Sequence, residues 1–132
     1  MIGIAILVPA LLATQAAVPV AVPAPPETVA EFLAQADALL AAGNDAAATS
    51  PQADTIRSAL QQAAMAYRAS LTEAVQRGAP PASCPPPPGQ AQLSLGDITE
   101  LFRAFPDANR PMPVTTAFAL VMTLRFPCPT PP

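Results

Sequence analysis

Between residues 27 and 125 the apolar positions recur every three or four residues, and no stretch alternates with the two-residue period of a strand. The spacing predicts four helices. The first runs from Glu27 to Ala42, with Val29, Phe32, Leu33, Ala36 and Leu40 on one face. Thr28 and Glu31 match the T-x-x-E capping box at its start, and Gly43 stops it before a loop that opens at Asn44-Asp45. The second runs from Pro51 to Arg77 behind Ser50, a good N-cap, with Pro51 where the first turn tolerates it. Its stripe is Ile56, Leu60, Ala63, Ala64, Tyr67, Leu71, Ala74 and Val75, and Gly78 follows as a stop.

The third predicted helix spans Leu95 to Phe105. Ser94 and Asp97 repeat the capping pattern, Ile98, Leu101, Phe102 and Phe105 share a face, and Pro106 ends it. The fourth spans Val114 to Arg125 behind Pro113, burying Val114, Ala117, Phe118, Val121 and Met122. Phe126-Pro127 closes it, and the tail beginning Cys128-Pro129 cannot be helical. The expected fold is therefore all-α: a small four-helix domain of two helical hairpins over residues 27–132.

Residues 17–26 form a Pro/Ala-rich stretch and read as an extended linker. Before it, Ile2 to Ala13 is an apolar run followed by small residues around Thr14-Gln15-Ala16. Residues 1–16 read as a secretory signal peptide, with an uncleaved anchor as the alternative. Pro9 and Pro19 interrupt the longer uncharged stretch that an anchor needs, and no Lys or Arg precedes the run. A periplasmic or secreted location follows, with no membrane attachment once the signal is cleaved.

Export changes how Cys84 and Cys128 are read. The chain holds two cysteines and no histidine. In an oxidising compartment two cysteines pair; a zinc site needs about four ligands, and a thiol nucleophile needs a base. The disulfide is the strongest of these three readings. The four prolines after Cys84 favour a polyproline II course, read here as a stiff connector between the two hairpins. A docking ligand for an aromatic groove is the weaker alternative.

Composition removes function classes more readily than it assigns one. Six arginines face nine acidic residues, for a net charge of −3, so there is no basic excess for a nucleic acid. Without histidine the usual general base at neutral pH is missing. Asp97 and Glu100 are neighbours on a helix, but capping accounts for Asp97 and an exposed pair with Arg103 for Glu100. Ser70, Ser83 and Ser94 lack the G-x-S-x-G context, and neither a phosphate loop nor a calcium loop is present. The chain is expected to be no enzyme and to need no cofactor or metal. Core packing is the first reading of the clustered phenylalanines. The second leaves Phe102 or Phe105 exposed beside Arg103, an aromatic-plus-arginine grouping typical of binding hot spots. Together with Arg110 in the following loop, Phe102, Arg103 and Phe105 are the candidate partner contacts.

The stretch SCPPPPGQAQLSLGDITELFRAFPDANRPMPVTTAFALVMTLRFPC, residues 83–128, resembles the C-terminal half of the Rap/Tai-type immunity proteins of type VI secretion systems. The shared order is a Cys-Pro loop at Cys84-Pro85, a capped helix from Ser94 to Phe105, a proline-broken turn at Pro106, an Ala-rich helix over Ala117 to Leu124, and a closing Phe126-Pro127-Cys128. It covers about a third of the chain, with EFLAQADALLAAG and AYRASL similar to the two N-terminal helices. A second cysteine pair common in the family is missing, and Ala64 stands where one member of it is expected. The resemblance implies a periplasmic, non-catalytic protein that binds and blocks a peptidoglycan amidase, often as a homodimer, by inserting a loop or helix end into the enzyme's groove. The longest polar connections, the 106–113 turn and the 43–50 loop, are the candidates for that insertion. The alternative is an envelope protein with a structural or chaperone-like role.

Overall fold

The computed structural model describes residues 16–17, 21–87, 89–90 and 93–130. The fold is all-α: α1 (Val29–Ala41), α2 (Asn44–Thr49), α3 (Pro51–Gln76), α4 (Leu95–Arg103) and α5 (Val114–Arg125), with a 3-10 turn at Asp107–Asn109. The expected signal peptide lies outside the described residues except for Ala16.

The helix starts obey the capping chemistry. The Thr28 hydroxyl accepts from the Glu31 amide, and the Glu31 carboxylate accepts from the amides of Thr28 and Glu27. Ser50 receives the Ala53 amide at the head of α3, and Ser94 and Asp97 form a reciprocal box at the head of α4. Gly78 terminates α3 at φ +70°, a left-handed conformation that a Cβ would strain.

α3 is the spine. It packs along α5 and against α1 and α2, while α4 lies against both α1 and α5. One apolar cluster joins all of them except α2, whose Ala46 and Ala47 pack at its margin. Phe32 of α1 meets Phe102 of α4 edge-on at 5.0 Å between ring centroids, and Tyr67 of α3 meets Phe118 of α5 at 6.0 Å. Each large side chain so buried contributes about 1.5–3 kcal/mol of transfer free energy.

Three expectations are corrected. The 43–50 connection is not a polar loop, because Asn44–Thr49 is a helical turn and a half, closed by the Thr49 hydroxyl on the Asp45 carbonyl at 2.8 Å. Gly43, at φ +100°, breaks the chain between α1 and α2, and three alanines then restore helix propensity. Among the described residues the four expected helices are thus five. On α1, Leu39 is 1% exposed and Leu40 is 48% exposed, the reverse of the expected face. Both positions fall within the apolar arc after Ala36, one at i+3 and one at i+4, so the period alone does not choose between them. On α3, Val75 is 65% exposed, and no residue beyond Tyr67 is buried. At 1.5 Å per residue the 26-residue α3 is about 39 Å long and the 12-residue α5 about 18 Å, so α3 overshoots its partners.

The helix ends otherwise fall within two residues of the expected ones. The end of the Pro/Ala stretch belongs to the folded unit: Pro26 is buried, and the Gln35 amide donates to the Ala24 carbonyl at 3.0 Å. Cys84 and Cys128 are joined, with Cα atoms 4.7 Å apart, closing a 44-residue separation.

Candidate functional site

Two surfaces carry the exposed chemistry. The first is the turn between α4 and α5. Pro106 ends the α4 segment, and three residues of 3-10 helix then lead to Arg110, Pro111, Met112 and Pro113. The turn is anchored through the backbone. The amides of Val29 and Ala30, two of the donors that α1 leaves unpaired in its first turn, reach the carbonyls of Met112 at 2.9 Å and Arg110 at 3.0 Å. In return the Val114 amide, first in α5, donates to the Glu27 carbonyl at 2.9 Å. Thr28 and Pro113 stand opposite each other as an isolated antiparallel bridge. The N-termini of α1 and α5 therefore complete one another, and the turn is fixed by what they exchange.

The four candidate contact residues separate on this frame. Phe102 is 0% exposed and stacked into the core against Phe32, so it belongs to the packing reading and not to the surface. Phe105 is half-buried at the edge of the cluster, beside Phe102. Arg103 ties α4 to α1 by pairing with Asp37, and it also pairs with Glu100 one turn back. Such exposed pairs contribute little stability. Arg110 is 30% exposed in its side chain, with a long 3.4 Å ion pair to Asp107, and its Nε is buried without a hydrogen-bond partner. Phe105 and Arg110 are each partly accessible, Phe105 just before the anchored turn and Arg110 within it, while Arg103 is exposed but engaged by Asp37 and Glu100.

The second surface is a groove of about 570 Å³ between α3 and the segment that follows Cys84. Leu60, Ala64 and Tyr67 form its α3 wall, Pro85, Pro86 and Pro87 the facing wall, and Phe118 and Met122 of α5 its base. Arg57, Gln61 and Arg68 edge it. The segment is seated by three contacts. Its disulfide joins the end of the chain, the Cys84 amide donates to the Phe126 carbonyl at 2.8 Å, and the buried Ser83 hydroxyl shares a short hydrogen bond with the Tyr67 hydroxyl. Beyond the connector role expected of them, Pro85, Pro86 and Pro87 line the groove.

Sequence reasoning did not single out Arg57, Gln61 and Arg68. A signal for them exists, since positions 57, 61, 64 and 68 repeat at four, three and four residues, in phase with the Leu60–Ala64–Tyr67 stripe. Nothing in the one-dimensional pattern places prolines opposite them. Among the described residues no three metal-ligating side chains come together, and no helix is long and apolar enough to cross a membrane.

Asp97 sits in the cap at the head of α4. The Ser94 hydroxyl first and the Ser94 amide second hold its carboxyl below the usual aspartate value, and both bonds belong to the α4 cap.

The chain matches no known protein-family model, no curated protein and no solved structure.

Proposed function

We propose that this chain is an exported, non-catalytic binding protein, of the kind the Rap/Tai-type resemblance implies, that blocks a cell-wall amidase with the turn between Pro106 and Pro113. The observation that carries this reading is the anchoring of that turn. Its carbonyls at Arg110 and Met112 are held by the first turn of α1, so the exposed residues 106–108 and 111 are presented in one conformation before a partner arrives. A pre-ordered loop loses little conformational freedom on binding, the main cost an inhibitory loop otherwise meets. Arg110 keeps about 30% of its side chain exposed in the turn, and arginine and aromatic residues are enriched in binding hot spots. The intramolecular disulfide suits an oxidising compartment such as the periplasm.

The test is a periplasmic pull-down with the disulfide-intact protein, followed by an amidase assay on purified peptidoglycan. The expected result is recovery of a peptidoglycan amidase whose activity falls on adding the chain, and an Arg110→Ala variant that inhibits at least tenfold less well. Recovery of envelope proteins without a cell-wall hydrolase, or undiminished inhibition by Arg110→Ala, overturns the reading. The first of these outcomes favours a structural or chaperone-like role.

A further inference from the structure

We propose that the groove between α3 and the proline segment binds a single-chain fatty-acid anion, its hydrocarbon lying along Leu60, Ala64 and Phe118 and its carboxylate meeting Arg68. The site shares no residue with the 106–113 turn, so this inference stands or fails apart from amidase binding.

Size is the first argument. About 570 Å³ lies within the roughly 300–1,000 Å³ of small-molecule sites. A helix about 10 Å across fills about 420 Å³ per 5.4 Å turn, so the groove holds little more than one turn of a docked helix. Hydrogen bonding is the second. Pro85, Pro86 and Pro87 have no amide hydrogen, so the wall they form offers no donor ladder to an extended peptide. A hydrocarbon chain asks for none.

Charge is the third argument. The molecule is acidic overall, yet among the described residues no carboxylate lines the groove, and two of the six arginines edge it. Arg57 already pairs with Asp54 at 2.5 Å. Arg68 makes no ion pair among the described residues. An apolar trough with one uncommitted cation at its edge is complementary to a long apolar tail bearing one negative head.

Tyr67, the single tyrosine of a chain without tryptophan, lines the groove and reports on its contents by fluorescence. The full-length, disulfide-intact protein is titrated with sodium oleate below its micelle concentration and with oleyl alcohol, which has the same chain and no charge. Stoichiometry is read by native mass spectrometry. The expected result is saturable one-to-one binding of oleate, about tenfold tighter than the alcohol. Arg68→Gln brings oleate down to the level of the alcohol and leaves the alcohol unchanged. Ala64→Phe, which fills the trough, abolishes binding of both. Arg68 is exposed, so its variant folds whatever Ala64→Phe does. Oleate uptake that does not saturate, or that Arg68→Gln leaves unaltered, overturns the proposal. So does a dimer lost in Ala64→Phe, which gives the groove to a second copy, or an acidic peptide that displaces oleate at lower concentration.

Discussion

The amide of Cys84 donates to the carbonyl of Phe126 at 2.8 Å, two residues short of the cysteine to which Cys84 is covalently bound. The end of α5 and the start of the proline segment are thus held twice, once by sulfur and once by backbone. A closed loop of 44 residues carries about 4 kcal/mol of stabilisation in the chain-entropy description. Replacing both cysteines by serine is expected to lower the thermal midpoint by well over 10 °C, with calorimetry as the check. Hydrogen exchange is expected to show α4 and α5 loosened and the N-terminal half of α3 still protected. Equal melting of the variant and the native protein under non-reducing conditions contradicts this.

Leu39 and Leu40 make a sharp comparison because they are adjacent and chemically identical. Leu39→Ala removes a fully buried side chain and is expected to cost about 2–5 kcal/mol. Leu40→Ala acts on a half-exposed one and is expected to cost under about 1 kcal/mol. Urea unfolding of the two variants measures the difference, and equal midpoints contradict the assigned face of α1.

Tyr67 and Ser83 form a buried polar pair, so their substitutions are expected to be non-additive. Tyr67→Phe leaves the Ser83 hydroxyl buried without its partner, at a cost of about 1–3 kcal/mol. Adding Ser83→Ala removes the orphaned group and restores part of that loss. A double-mutant cycle from chemical denaturation reads the coupling; strict additivity speaks against the bond as a seat for the proline segment.

Asp97 supplies a pH dependence. Its folded-state pKa is lowered by the Ser94 hydroxyl and amide, so the unfolded chain binds the proton more tightly. The stabilisation it contributes is present above the ordinary aspartate value of about 3.9 and is lost as pH falls through the lower, folded value. An Asp97→Asn variant is expected to lose that part of the acid-limb slope in melts followed by circular dichroism. Superimposable pH profiles count against it.

Helix starts were the most legible part of this chain. Thr28 with Glu31, Ser50 with the Ala53 amide, and Ser94 with Asp97 each satisfy local donors within three residues, so the sequence carries the whole interaction. The disulfide was legible because a chain with two cysteines allows one intramolecular pairing. Which of Leu39 and Leu40 faces inward was not, since neighbouring helices decide it and the period admits both. The groove was illegible for the same reason. Its walls come from residues 57–68, from 85–87 and 89, from Leu93 and Ile98, and from 118–122, and only packing brings them together. The anchoring of the 106–113 turn likewise depends on main-chain groups, whose partners no side-chain pattern reveals.

The exchange between the N-termini of α1 and α5 sets an order of assembly. The first amides of α1 find their acceptors eighty or more positions later in the chain, and α5 begins by returning a bond to Glu27. A fragment ending near Gly78 therefore lacks the acceptors for its own first helix, and a fragment starting near Cys84 lacks one for its last. The two halves are expected to fold only when mixed, each serving as the other's missing boundary. A chain that emerges progressively from a pore stays unfinished until its final third has arrived.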